Sequence, residues 1–174
     1  MGVAVVVVLE TERLVLREVE DEDATFMLEL LNSPGFLENI GDRGVRDLEQ
    51  AKTFIEERLR GSYRDHGFGM WVTVQKSDHT QVGLAGLVRR EGLEVPDVGY
   101  AFVQRVWGRG YAQEAAAAVL AHAQGPLGIQ KLAAITSPEN FASMAVLRKI
   151  GFSFHGMVEL PGIERESTYF TVGG

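Results

Sequence analysis

The chain contains no cysteine at all. Disulfides, thiolate metal sites and cysteine nucleophiles are therefore excluded together, and any covalent chemistry must run through another group. Histidine is sparse and scattered at His66, His79, His122 and His155, with no H-E-x-x-H run, so no metal site is expected. No serine stands in a G-x-S-x-G elbow, which removes the main hydrolase reading. Positive charge is also in deficit. Lys and Arg number 17 against 24 Asp and Glu, a formal net charge of −7, whereas sequence-independent binding to DNA or RNA needs a basic face that displaces counterions. No nucleic-acid partner is expected.

Long apolar runs are missing too. The most marked one, Val3 to Leu9, is too short to span a bilayer, has no basic residue before it and lacks a cleavage signal. It reads as an apolar extension over residues 1–9, either an added edge strand or a bare strand that favours pairing with another chain. A cytoplasmic location, no membrane partner and a homodimer are the corresponding expectations.

What is present suits one folded unit. A domain of 174 residues buries roughly 70% of its unfolded surface, and the apolar share of 45% beside a charged share of 24% is ordinary for a soluble globular chain. No internal repeat or low-complexity tract interrupts it, so a single domain is expected over residues 1–174. Alternation at Arg13 to Glu18 predicts a strand. Asp21 offers an N-cap to a helix carrying Ala24, Met27, Leu28 and Leu31 and ending before Pro34, and Asp47 with Gln50 opens a second helix through Ala51, Ile55 and Leu59. Phe68 to Gln75 and Gln81 to Arg90 form a hairpin around Ser77 to Thr80, and Val98 to Val103 is a third strand of that group. Tyr111 to Gln124 is an alanine-rich helix stopped by Gly125 and Pro126. Leu132 to Thr136 is a strand, Asn140 to Ile150 a helix closed by Gly151, and Phe152 to Val158 and Thr168 to Val172 are the last strands. The order β-αα-βββ-α-β-α-ββ predicts an α/β (α+β) fold, a mixed and mostly antiparallel sheet of about seven strands with helices on both faces.

Ligands in such sheets bind where a strand feeds a helix N-terminus. That place here is Arg105-Val106-Trp107-Gly108-Arg109-Gly110-Tyr111-Ala112. Glycines spaced by one residue let an anion approach the backbone N–H groups, and the first helical turn adds unpaired donors and a positive dipole end. Gln113 stands where a dinucleotide fingerprint needs glycine, and the G-K-[ST] of a P-loop is absent. By itself the glycine pair fits a phosphate cradle and a plain loop about equally.

The surrounding residues extend the pattern. Arg105, Gly108 and Gly110 match [QR]-x-x-G-x-[GA], and Asn140, Ser143, Leu147 and Gly151-Phe152 match N-x-x-S…L…G-F. Val98 to Phe102 precedes the first motif as a strand, and Leu9-Glu10-Thr11-Glu12-Arg13-Leu14-Val15-Leu16-Arg17 opens the chain. From Leu9 onward the sequence resembles the GCN5-related N-acetyltransferase (GNAT) superfamily, and its opening is similar to the subgroup that acetylates ribosomal-protein N-termini (RimJ/RimL-like).

The resemblance implies acetyl-CoA as co-substrate, no metal, and direct attack by an amine with no enzyme nucleophile. It places coenzyme A at Phe102, Val103, Arg105, Gly108, Arg109, Gly110, Tyr111, Ala112, Asn140 and Ser143, with the pantetheine arm lying along the strand at Phe102 and Val103 and a bulge there freeing one N–H. It also implies Ser143 as the proton donor to the leaving thiolate; Asn140 as a plain N-cap and Ser143 as an ordinary helix residue is the alternative. Glu139 and Glu159 are the base candidates, each able to hold a water and each also readable as a solvated surface residue, and Tyr169 is a further group near the thiol or a half-buried strand tyrosine. Arg148 and Lys149 suit a cofactor phosphate or simply the helix dipole, and Trp107 suits support of the glycine loop. Acceptor contacts are expected from Asn32 to Arg46, with Phe36, Glu38 and Asp42, and from Phe68 to Trp71. The acidic surface suits, weakly, a basic acceptor. The activity so implied is acetyl transfer to a primary amine, first a protein N-terminal amine, with a small-molecule amine or a non-catalytic coenzyme A sensor as alternatives.

Overall fold

Burial of every second residue is what fixes the strands. Leu14 and Leu16 are fully buried while Val15 and Arg17 between them are half-buried, so strand β2 (Leu14–Arg17) turns one apolar row into the core. In the computed structural model, which describes residues 5–174, eight strands form one sheet in the order β1-β2-β3-β4-β5-β6-β8-β7. They are β1 (Val7–Glu10), β2, β3 (Met70–Gln75), β4 (Gln81–Val88), β5 (Asp97–Phe102), β6 (Leu132–Thr136), β7 (Ser153–Val158) and β8 (Ser167–Val172). All neighbours run antiparallel except β5 and β6. Seven strands lie where the sequence places them. The eighth is β1, an edge strand paired with β2, so the apolar extension joins the sheet from Val7; Val3 and Ala4 fall outside the described residues.

Trp71, Tyr100 and Phe102 point to one face of the sheet, and helices α5 (Tyr111–Gln124) and α6 (Phe141–Lys149) cover it. Trp71 meets the His122 ring of α5 edge-on at 5.7 Å. The second face carries α1 (Ala24–Leu31), α2 (Pro34–Asn39), α3 (Leu48–Phe54) and α4 (Gly61–His66), and the Tyr63 hydroxyl of α4 donates to the Met70 carbonyl. Among the described residues no helix is long and apolar enough to cross a membrane.

The helical region differs from the sequence expectation in three details. Asp21 does not cap α1; Asp21–Asp23 is a 3-10 turn, and Asp23 instead accepts the Glu20 amide at 2.8 Å. Pro34 and Gly35 begin a helix rather than interrupt the chain, because proline at the first helical position gives up an N–H that has no partner there anyway. Asp47 caps α3 by accepting the Gln50 amide at 2.8 Å, while Gln50 returns its oxygen to the Arg46 amide at 2.7 Å, one residue earlier than a standard capping box. A π-helical turn over Ile55–Arg60 joins α3 to α4. The buried residues Ala51, Ile55 and Leu59 are spaced by four, and this wider turn keeps them facing the core.

Asp23 ties the two sides of this layer together. Its carboxylate takes both Arg17 nitrogens at 2.8 Å and the Gln81 amide at 3.0 Å, joining β2, β4 and the start of α1. Burial alone raises its pKa, but the bonds from Arg17, the Glu20 amide and Gln81 outweigh that and hold it below the ordinary value. A depressed folded-state pKa adds stability that is present above about pH 4 and is lost as pH falls through the folded value. Replacing Asp23 by alanine leaves Arg17 unpaired and is expected to cost about 3 kcal/mol in urea denaturation at pH 7, with a smaller difference from wild type near pH 3. An unchanged midpoint at pH 7 would remove Asp23 from this role.

Candidate functional site

One rung joins β5 to β6. Asp97 pairs with Ala133, supported by an Ala133 amide bond to the Pro96 carbonyl at 3.0 Å. Beyond it the two strands part, while the far edges of both stay fully paired: β4 with β5 from Val88↔Asp97 to Gly83↔Phe102, and β6 with β8 from Leu132↔Val172 to Thr136↔Thr168. The β4–β5 register is unbroken, so the bulge implied by the family resemblance does not occur in that pairing. Alternation supplies the free donors instead. Val103 donates to the Val82 carbonyl at 3.0 Å, which sets the hydrogen-bonded pairs and turns the backbone groups of Val98, Tyr100 and Phe102 toward the open edge. Phe102 thus faces the cleft, while Val103 belongs to the β4 ladder.

From this edge the chain makes a 3-10 turn at Gln104–Val106 and enters the glycine turn. Gly108 and Gly110 both have φ of +81°, a left-handed conformation that costs a side-chain-bearing residue roughly 1–2 kcal/mol. Nothing lies within 4 Å of where a Gly108 Cβ would stand. The first bond of α5 runs from the Glu114 amide to the Gly110 carbonyl at 3.1 Å, which leaves the amides of Tyr111, Ala112 and Gln113 outside the helical ladder. Backbone donors and open space meet here, as an anion site requires.

The opening segment braces this turn. Arg13 donates to the Arg109 carbonyl at 2.8 Å and to Glu114 at 2.7 Å, and its guanidinium lies over the Tyr111 ring at 4.5 Å. The Thr11 hydroxyl donates to the same Glu114 carboxylate at 2.5 Å, and Tyr111 anchors to Gln75 at 2.7 Å. Trp107 is half exposed; its indole N–H donates to the Phe102 carbonyl at 2.8 Å, and its ring occupies the space beside Gly35 that any side chain there would need. It therefore supports the loop, as its place in the motif suggests, and also reaches α2.

Arg105 turns away from the cleft to Glu29 of α1 at 2.6 Å. Arg109 reaches Gln75 at 3.4 Å, and Ala112 lies half-buried in the first turn of α5. Asn140 caps α6, accepting the Ser143 amide at 3.2 Å. Across the cleft the Ser143 hydroxyl meets the Tyr100 hydroxyl at 2.7 Å. Burial pushes the Tyr100 phenol above its ordinary pKa, and the Ser143 hydrogen bond acts only partly against this. Glu139 is exposed with Arg165 at 3.7 Å, and Glu159 is exposed just beyond β7. Tyr169 sits half-buried on β8 opposite Ile135, and Arg148 lies over the Phe170 ring at 5.5 Å.

Two residues of this arrangement escape the sequence reading. Tyr100 was legible only as a strand position, and the signal that could have found it is its parity with Phe102 on the open edge. Arg13 belongs to the opening motif, but its contact with the glycine turn spans 96 residues of chain.

The parting between parallel strands opens onto a glycine turn and a helix N-terminus, which together offer free backbone donors and open space. The chain belongs to the GNAT acetyltransferases: residues 13–153 match the family described as acetyltransferase (GNAT) domain. It is 34% identical over 149 residues to the uncharacterized protein YkkB of Bacillus subtilis, covering 84% of this chain and 85% of that one. Among solved structures it is similar to an acetyltransferase from Agrobacterium tumefaciens, with TM-score 0.80 at 24% identity over 100% and 96% of the two chains. It is also similar to RimL, a ribosomal L7/L12 alpha-N-protein acetyltransferase solved with coenzyme A, with TM-score 0.79 at 16% identity over 96% and 97%. A spermidine N-acetyltransferase chimera from Vibrio cholerae gives TM-score 0.74 at 14% identity over 92% and 95%. The chain is an acetyl-CoA-dependent N-acetyltransferase of this family.

The residues fit that co-substrate. The backbone groups of Tyr100 and the Phe102 amide, which lie outside the β4 ladder, suit an amide-bearing arm, and the open turn at Gly108 suits a pyrophosphate. Gly108→Val adds a strained φ and a side chain in the open space, and it is expected to weaken coenzyme A binding at least about tenfold by calorimetry while the protein stays folded. Unchanged affinity would move the phosphate site elsewhere.

Proposed function

We propose that this enzyme acetylates a protein N-terminal amine, and that the observation carrying the chemistry is the Ser143–Tyr100 hydroxyl pair at the mouth of the parted strands. Bound acetyl-CoA supplies an activated thioester. The open edge of β5 holds its arm through the backbone of Tyr100 and Phe102, and Gly108, Arg109, Gly110, Tyr111 and Ala112 hold its pyrophosphate with their N–H groups. Val103 and Arg105 act as supports, the first in the β4 ladder and the second as a strut to Glu29. Asn140 fixes the start of α6 and so the position of Ser143.

As the amine nitrogen bonds to the acyl carbon and the carbon–sulfur bond breaks, Ser143 passes its proton to the departing sulfur and takes one from the Tyr100 phenol, which recovers its own from solvent as the amine proton is released to water. A phenol carries its proton at neutral pH at its ordinary pKa, and burial raises the Tyr100 value further. The amine proton leaves through water held by Glu159 or Glu139. Both carboxylates are exposed, and a solvated carboxylate is a modest base. A modest base suffices for an α-amino group with pKa of roughly 8 but serves poorly for a lysine near 10.4. That contrast, together with the opening segment Leu9 to Arg17 and the likeness to RimL, supports the N-terminal acceptor. A small-molecule amine is the second reading, favoured by the likeness to the spermidine enzyme.

Ser143→Ala and Tyr100→Phe are each expected to lower kcat about a hundredfold in a thiol-release assay, with the affinity for acetyl-CoA within about threefold of wild type. Wild-type turnover in both variants would leave Ser143 as a helix residue and nothing more.

A further inference from the structure

Glu114 is an anion standing in the first turn of α5, where the coenzyme brings another. Its amide makes the first bond of the helical ladder, and side chains on a helix lean toward the helix N-terminus. The carboxylate therefore reaches back toward the glycine turn, where the amides of Tyr111, Ala112 and Gln113 lie outside the ladder. An opening of about 350 Å³, lined by Arg13, Gly110, Gln113, Glu114 and Ala117, puts this charge and the turn on one body of solvent. Left alone, such a carboxylate takes the favourable end of the helix dipole for itself and repels an entering pyrophosphate.

The opening hairpin holds that carboxylate with three donors. They are the Thr11 hydroxyl at 2.5 Å, the Arg13 amide at 3.0 Å and the Arg13 Nε at 2.7 Å. Burial raises the Glu114 pKa, but these bonds and the charge of Arg13 outweigh it and hold the group below its ordinary value, so it is ionised at neutral pH. The donors are anchored independently of the coenzyme. Lys76, just after β3, gives its amide to the Arg13 carbonyl at 2.9 Å and its ammonium to the Thr11 carbonyl at 2.6 Å. From this anchorage the Arg13 guanidinium touches both charge and turn: Nε meets Glu114, Nη1 donates to the Arg109 carbonyl at 2.8 Å, and Nη2 lies 3.4 Å from where a Gly110 Cβ would stand.

We infer that Arg13 sets the affinity for coenzyme A by cancelling the charge of Glu114 at the mouth of the pyrophosphate site. Arg13 is thus a positioning residue for the donor, acting through Glu114 and the glycine turn and not on the reacting atoms. The inference rests on the coenzyme pyrophosphate lying at that turn. It also goes beyond mechanical bracing, because the two ideas differ in sign. A brace fails when either partner of the ion pair is lost. Charge cancellation makes the two losses opposite: without Arg13 the pair leaves one negative charge facing the pyrophosphate, without Glu114 it leaves one positive charge, and without both it is neutral as in the wild type.

The test is calorimetric binding of coenzyme A to the whole enzyme and to four variants, each checked for folding by urea denaturation. Arg13→Gln, which keeps part of the side-chain stem over Tyr111, is expected to weaken binding about tenfold, and Glu114→Gln to tighten it about threefold. The double variant Arg13→Gln with Glu114→Gln is expected to return within about threefold of wild type, as is Arg13→Lys. Raising KCl from about 0.05 to about 0.5 M is expected to shrink the deficit of Arg13→Gln relative to wild type, because salt screens the partly exposed charge. Wild-type affinity in Arg13→Gln, weakened binding in Glu114→Gln, or a double variant as weak as Arg13→Gln overturns the inference. Should Arg13→Gln unfold, Glu114→Gln decides alone: tighter binding supports charge cancellation, and equal or weaker binding contradicts it. Gly108→Val separates this from the underlying placement: weakened binding there with an indifferent ion pair removes the inference only, whereas unchanged binding in Gly108→Val removes the placement and the inference together.

Discussion

The single rung between Asp97 and Ala133 is the constraint on which the site depends. If β5 and β6 stayed paired along their lengths, the backbone groups of Tyr100 and Phe102 would be spent inside the sheet. Because the strands part after one rung, the Tyr100 groups and the Phe102 amide are left open while the Phe102 carbonyl goes to the Trp107 indole, and the same parting sets Tyr100 opposite Ser143 on α6. The outer edges of both strands remain fully paired, so the opening is held by rigid ladders rather than by loops.

Around that opening, each support comes from a different part of the chain. The segment Thr11 to Arg13 clamps the glycine turn through Glu114 and the Arg109 carbonyl, and Trp107 links the end of β5 to Gly35 of α2. Arg105 ties the same loop to α1 through Glu29. The glycine turn is thereby fixed to α1 and α2 on the second face. In the proposed reaction Tyr100 belongs to the same strand as the open backbone edge, so one element would supply both backbone recognition and a proton.

Local chemistry made much of the architecture legible in the sequence. Gly125, Pro126 and Gly151 mark helix ends, and alternation marks β2, β3 and β4, because turn residues and side-chain period act over a few positions. The strand in the valine run was ambiguous, since a continuous apolar run carries no face; its pairing with β2 decides it. Helix α2 was hidden because Pro34 and Gly35 look like breakers until proline is seen at the first helical position. The glycine turn and the cap at Asn140 were legible as motifs. The parted strands, the bracing by Arg13 and the outward turn of Arg105 were not, because each depends on residues brought together from distant parts of the chain.

The most direct test of the central claim is amide hydrogen exchange with and without coenzyme A. Exchange is predicted to slow at Tyr100, Phe102, Tyr111, Ala112 and Gln113, the amides left outside the sheet and helix ladders, and to change little in β8. Protection elsewhere, with these amides exchanging as before, would contradict a coenzyme held in the opening between β5 and β6.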